Sequence, residues 1–345
     1  MITNKNSTKF LFIFLGAHLI IWTLVPTFSN VNLPLDTIEA LAWASNLDWG
    51  YYKHPPFSAY VAQVFYYFFG NNDWAYYLLS QMFVVLSFFY IWKLSNFFFQ
   101  NKLYSLLSVL VLEGLVFLNY TTPEFNVYVC QLPIKVLMVY FFWKSNIEEN
   151  PVNWILVGLF AAIGILTHYS FIFLILALFI YFLFFMKKNK KVFINFLMSF
   201  LTFVLIITPH LLWLLENNFT TILYAFDRAN LNAKDFSDHF LNPFIFLIKQ
   251  LGMLILSIIL IVSIFSINKK RINFKLNDNK KIFLFSISVL PIILVFIISM
   301  FTGAKIRTMW MSTFYLFFGL FIFYFSTNEI KMKKINKFFY IFGFI

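Results

Sequence analysis

Charge is scarce in this chain: only 12% of its 345 residues are Asp, Glu, Lys or Arg, against roughly 25% in a soluble domain. Hydrophobic residues make up 61% and aromatic ones 23%, more apolar surface than a water-soluble core can hide. The scarcity therefore excludes a soluble globular fold and makes lipid the solvent for most of the chain. Cysteine is nearly absent as well. Cys130 stands alone in an apolar stretch, which excludes an intrachain disulfide and any CxxC metal site. There is no internal repeat, no low-complexity linker and no soluble segment, so residues 1–345 read as one integral membrane domain.

What is present is a series of apolar runs, at 10–28, 76–94, 103–119, 126–143, 153–168, 170–186, 192–214, 243–267, 282–302 and 308–326, with a last one starting near 338. At 1.5 Å per helical residue most reach across a hydrocarbon core of roughly 30 Å. The expected fold is an all-α polytopic bundle of ten or eleven transmembrane helices. The run after Lys9 passes into bulky and charged residues, so it reads as a first span rather than a cleaved leader. The final run is too short to span, which leaves a half-span or a truncated chain.

The net charge of +12 would suggest nucleic acid in a soluble protein, but here it sits in short loops between apolar runs. With the N-terminus in the cytoplasm and one crossing per run, nineteen of the twenty-six Lys and Arg residues fall on the cytoplasmic side, as the positive-inside rule requires. Nine of the fourteen acids fall on the other side. Acids contribute little to orientation, and chemistry at the outer face is one reason for them to gather there.

The outer segment 29–75 is the most polar stretch. Its sequence LPLDTIEALAWASNLDWGYYKHPPF collects Asp36, Glu39, Asp48, Lys53 and His54. Helical spacing predicts a short interfacial helix over 37–47, and Pro55-Pro56 opens a second, aromatic one over 57–69. Asp36 and Glu39 share a helix face; they are also spaced for a capping box, Asp36 as N-cap and Glu39 at its third position. Lys53 is a point charge suited to phosphate, and equally a lysine able to snorkel to headgroups. Glu124, in NYTTPEFN, adds a third outer carboxylate; the three could bind a divalent metal or accept a proton. His168-Tyr169 and His210 interrupt apolar runs near the outer surface, and structural histidine is the default reading of each. Lys305 and Arg307 oppose the positive-inside tendency, which points to an anionic partner. Glu113 and Lys135 lie inside consecutive spans, where isolated charge is costly, and are expected to pair with each other.

In this order, these residues resemble the bacterial glycosyltransferase family 39 of the GT-C class, related to protein mannosyltransferases and lipid A aminoarabinose transferases. The likeness is clearest in DTIEALAWASNLDWGYYKHPPFSAY and continues in TTPEFN, WILVGLFAAIGILTHYS, TPHLLWLLENNF and HFLNPFIF. It implies a GT-C bundle with interfacial helices in the first periplasmic loop, in the bacterial inner membrane. It implies an inverting glycosyltransferase that moves a sugar from a polyprenyl-phosphate donor to a hydroxyl or phosphate on a lipid, glycan or protein acceptor. Asp36 would be the general base, with Glu39 as the alternative, and Glu124 the second acidic position. Lys53 would hold the phosphate, with Tyr52, His54, His168, Tyr169, His210, Lys305 and Arg307 binding substrate. The resemblance leaves a divalent cofactor open, with Asp36, Glu39 and Glu124 as its ligands. Membrane lipids are the other partners, and nucleic acid is not one. Three features depart from the family: Asp36 and Glu39 are separated where many members have adjacent acids, His168-Tyr169 stands where members often carry Lys-Tyr, which weakens a phosphate role there, and the large soluble C-terminal region of some relatives is absent from this sequence. The competing readings are a lipid-linked sugar transporter or flippase, which would need a polar path across the bundle, and a noncatalytic subunit that binds headgroups.

Overall fold

The computed structural model describes residues 4–148, 150–186, 189–230, 235–265, 278–326 and 334–344. Helices make up its regular structure, and no strand occurs among the described residues. The first part of the chain forms α1 (Ser7–Ser29), the interfacial pair α2 (Leu35–Ala44) and α3 (Phe57–Phe69), α4 (Asp73–Ser95), α5 (Lys102–Leu110) and α6 (Val127–Glu148). There follow α7 (Pro151–Thr167), α8 (Ile172–Phe185), α9 (Lys190–Glu216), the short α10 (Thr220–Arg228) and α11 (Asp238–Ile264). The rest is α12 (Asn279–Ser288), α13 (Leu290–Thr302), α14 (Thr308–Ser312), α15 (Phe318–Phe325) and α16 (Ile335–Phe342).

By length and composition six segments of the described residues can cross a membrane: α1, α4, α6, α9, α11 and the run Thr308–Phe325. A seventh crossing is α12 with α13, bent by 45° next to Pro291, whose missing N–H weakens the helical ladder there. α7 and α8 are apolar but shorter. The sequence-based count of ten or eleven full spans therefore resolves into long, bent and short crossings. Run 103–119 shows the reason. It is helical only to Leu110 and continues as two 3-10 turns, Val111–Gly114 and Val116–Leu118. Gly114 lies so close to α11 that a Cβ there would come within 2.4 Å of the Ser257 backbone nitrogen. The tightened turns let α11 approach, and the Ser257 hydroxyl donates to the Val111 carbonyl at 3.0 Å.

α6 is the central column of the bundle, its residues buried along most of its length. α9 and α11 instead expose Leu, Ile and Phe along their outer faces, the pattern of helices whose solvent is lipid. Small residues set the closest approaches, as at Gly158, where a Cβ would sit 2.1 Å from the Ser199 carbonyl oxygen of α9.

Two polar groupings lie inside the bundle. His18 Nδ1 is 2.5 Å from Glu113 Oε1, and Asn119 donates to the other Glu113 oxygen at 3.2 Å. Lys135 donates to Thr313 Oγ1 at 2.5 Å, with its ammonium over the Phe314 ring. The expected Glu113–Lys135 pair is thus replaced by two separate partnerships. Glu113 sits on a 3-10 turn that faces α1, whereas Lys135 faces the 3-10 turn Thr313–Phe317 of the last span.

Candidate active site

The site is assembled at the end of the bundle where α2 begins. Pro34 occupies the N-cap of α2 in an extended conformation, which puts Asp36 at the second helical position and removes the expected capping box. The backbone N–H of Asp36 is satisfied from elsewhere: it donates to Glu124 Oε1 at 3.1 Å. Thr37 Oγ1 donates to the adjacent Phe125 carbonyl at 3.2 Å, so the loop before α6 docks the start of α2. Glu39, one turn on, is held in an ion pair with Lys53.

The loop carrying Lys53 and His54 is pinned from behind. Thr221 of α10 donates to the Tyr51 carbonyl at 2.6 Å, and Trp213 of α9 donates to Asp48 Oδ2 at 2.8 Å. His210 Nδ1 donates to the Trp49 carbonyl at 2.6 Å, which leaves Nε2 to accept from the Tyr169 hydroxyl at 2.9 Å. His210 is therefore a strut between the first outer segment and the α7–α8 corner.

These elements enclose a cavity of about 600 Å³. Asp36, Glu39, Lys53 and His54 form one wall, and Tyr128, His168 and Tyr169 another. Tyr224 and Arg228 of α10 close the outer side, and Arg307 at the N-cap of α14 and Trp310 within α14 add to the lining. The remaining surface is apolar: Ile172 and Phe173 of α8 face Val295 and Ile298 of α13.

Of the residues expected from sequence, the cavity brings together Asp36, Glu39, Lys53, His54, His168, Tyr169 and Arg307. Glu124 stands behind Asp36 and His210 behind Tyr169. Tyr52 is largely exposed and packs its ring on Tyr224. Lys305 contributes a backbone bond to the Ala229 carbonyl at 2.9 Å but does not line the cavity. Sequence reading misses Arg228, Tyr224, Tyr128 and Trp310. Arg228 carries a usable signal, since it too is a cation on the acidic side of the charge count.

Burial raises the Asp36 carboxyl above the ordinary range; Glu39 adds to this, while Lys53 and Arg228 act against it. Glu124 is raised for the same first reason. The hydrogen bond to Glu39 raises Lys53 and keeps it charged. His54 is lowered to about 4 by burial, then by Lys53 and Arg228. The result is one carboxylate made more basic by burial, Asp36, beside a second, Glu39, already paired with Lys53. Among the described residues Asp36, Arg228 and Arg307 make no ion pair. No group of three or more His, Cys, Asp or Glu among the described residues is arranged to hold a metal ion; Asp36, Glu39 and Glu124 do not form one.

Residues 53–213 match the family described as dolichyl-phosphate-mannose-protein mannosyltransferase. The fold is similar to the crystal structure of ArnT from Cupriavidus metallidurans bound to undecaprenyl phosphate, with a TM-score of 0.69 and 14% identity. The likeness covers 96% of this chain and 62% of that one. A comparison with curated protein sequences gives no match. The two comparisons agree with each other: the stretch that matches the mannosyltransferase family model lies within a chain whose fold is similar to that of ArnT.

Proposed function

We propose that this chain, as one integral membrane domain, transfers a sugar from a polyprenyl-phosphate donor to a hydroxyl or phosphate acceptor on a lipid, glycan or protein, inverting the anomeric configuration. One observation carries the reading: a single cavity joins a carboxylate-and-cation head to an apolar flank between α8 and α13. A lipid phosphate has that same division. The undecaprenyl phosphate bound to ArnT supports the donor class.

Asp36 takes the proton from the acceptor O–H. The acceptor oxygen forms its bond to the anomeric carbon as the bond from that carbon to the phosphate oxygen breaks, and the lipid phosphate leaves with the electron pair. Charge grows on the leaving phosphate, where fixed cations assist most. Lys53 and Arg228 flank Asp36 and are the groups for that task, Arg228 lying over the Tyr224 ring with no ion pair among the described residues. Glu39 holds Lys53, Glu124 holds the start of α2, and Arg307 and Tyr169 complete the wall.

The end opposite the cavity gathers Lys102, Lys280 and Lys334, whose backbone or side-chain bonds go to Asn4, Phe97 and Phe265. Positive charge at that end supports a cytoplasmic placement of it and a periplasmic cavity in the bacterial inner membrane.

The test is reconstitution in proteoliposomes with a radiolabelled polyprenyl-phosphate sugar and a pool of envelope acceptors. Label covalently attached to acceptor, with release of polyprenyl phosphate, is the expected result. Label that crosses to the other leaflet or lumen without attachment would replace this reading with transport.

A further inference from the structure

One face of α6 carries a polar stripe that the transfer chemistry does not use. Tyr128, Gln131 and Lys135 follow one another at i, i+3 and i+7, so they share one side of the helix. Tyr128 lines the cavity, whereas Gln131 and Lys135 lie further into the bundle, both fully buried. A glutamine inside an apolar span is costly unless its amide is matched at both ends. Here it is: Gln131 Nε2 donates to the His168 carbonyl at 3.0 Å, and Gln131 Oε1 accepts from the Thr313 hydroxyl at 3.5 Å. Thr313 accepts in turn from Lys135.

The direction of this chain is fixed from both ends. An ammonium can only donate, so the Thr313 proton is left to turn toward Gln131. The His168 carbonyl can only accept, so the amide must present its nitrogen there. A flipped amide would set two oxygens against each other.

The groups that Gln131 joins belong to different parts of the cavity. His168 ends α7 in an extended conformation, φ −163° and ψ 134°, just before the 3-10 turn Tyr169–Phe171. Its carbonyl lies past the helical ladder and is satisfied by the Phe171 N–H at 3.1 Å together with the Gln131 amide. His168 and Tyr169 line the cavity from this corner. Thr313 opens the 3-10 turn Thr313–Phe317 directly after α14, and α14 with its N-cap brings Arg307, Trp310 and Met311 to the cavity. One buried amide therefore ties the α7–α8 corner to the last span from behind.

We infer that Gln131 is a positioning residue for the transfer reaction: it lies off the cavity and sets the spacing between the His168–Tyr169 corner and the Arg307–Trp310 segment, with Lys135 and Thr313 orienting its amide. The inference rests on the transfer reading above. A misplacement of about 1 Å costs up to about 100-fold in rate, and a break in this chain shifts two walls of the cavity without removing any group assigned to the donor phosphate.

Two comparisons test it. Gln131→Glu keeps the size and the acceptor for Thr313 but gives the His168 carbonyl an oxygen in place of an N–H. It should lower kcat for transfer by about 10- to 100-fold, while the affinity for undecaprenyl phosphate stays within about twofold. Thr313→Val, which cuts the chain one link further on, should act the same way, and Thr313→Ser, which keeps the hydroxyl, should restore most of the loss. Spin labels at Ile172 on α8 and Met309 on α14, both exposed and both on the cavity, read the spacing itself. The distance distribution should match the parent in Thr313→Ser and be shifted or broadened in Thr313→Val and Gln131→Glu. Turnover and donor affinity that fall together, in step with the folded fraction in thermal unfolding, would reduce Gln131 to a stability role and overturn the inference. An unchanged distance distribution in both chain-breaking variants would overturn it too. A parent protein that transfers no sugar would remove the transfer reading and the role in it, while label distances that still change would keep Gln131 as the link between the walls.

Discussion

Between the spans, charged side chains are met by protein groups: Glu113 by His18 and Asn119, Lys135 by Thr313 and the Phe314 ring. At the cavity, Asp36, Arg228 and Arg307 face open space without an ion pair among the described residues. Both regions hold charge in an apolar protein, fully buried at Lys135 and partly open to the cavity at Asp36 and Arg307. The difference lies in what offsets the cost of taking charge out of water. Inside the bundle the partner is protein; at the cavity it is left for a ligand to supply. An unpaired charge, more than charge itself, separates the candidate chemistry from the scaffold. The same contrast divides the two carboxylates of α2, because Glu39 is spent on Lys53 and Asp36 is not.

The largest effect expected from this contrast is at Asp36. Asp36→Asn should reduce sugar transfer by roughly 10³-fold, the scale of a lost general base, with Glu39→Gln costing far less. Folding should not suffer. A carboxyl whose pKa is raised on folding destabilises the folded state once ionised, so its removal leaves stability at neutral pH unchanged or improved. Thermal unfolding of the purified variants checks that half of the prediction.

Arg228→Ala comes next. Loss of a charge-assisted contact to phosphate should weaken undecaprenyl phosphate binding by about 10- to 100-fold. Lys305→Ala, one loop away and off the cavity, should leave that affinity within about twofold.

The pH profile gives a smaller but signed effect. Transfer needs ionised Asp36, so the rate should fall as pH drops through its raised pKa, at a pH above the ordinary carboxylate value of about 3.9. Glu39 raises Asp36 and Arg228 lowers it. Glu39→Gln should therefore move the acid limb to lower pH, and Arg228→Gln should move it to higher pH. A limb that stays put in both would separate it from Asp36.

The paired charges inside the bundle should respond in the opposite manner. Glu113→Leu leaves the His18 ring without its partner and should cost about 1–3 kcal/mol of stability, while transfer per folded molecule changes only a few-fold. A loss of transfer as large as that of Asp36→Asn, in folded protein, would dissolve the distinction between the two regions.

Much of this is legible in the sequence. Long apolar runs locate spans because hydrocarbon demands them, and the interfacial helices fall within a few residues of expectation: α2 at Leu35–Ala44 against 37–47, and α3 at Phe57–Phe69 as expected. Run 103–119 reads as one helix because hydropathy cannot show that Gly114 must tighten to admit α11. The capping box fails because Pro34 takes the N-cap and Glu124, eighty-eight residues away, caps the Asp36 N–H instead. Spacing along one helix carries no information about such a distant partner. Arg307 and Lys305 look alike in sequence, yet only Arg307 reaches the cavity. Arg228 lies on a short helix between two spans, and its position against Asp36 depends on how α9 and α10 pin the first outer segment.

The central claim is that one cavity holds both halves of a lipid-phosphate donor, and a structure determined with undecaprenyl phosphate bound tests it most directly. The account predicts the phosphate within hydrogen-bond distance of Lys53 and Arg228, beside Asp36, with the prenyl chain leaving between α8 and α13 past Phe173 and Ile298. A phosphate bound at the lysine-rich end, or a chain leaving along α1 and α4, would contradict it.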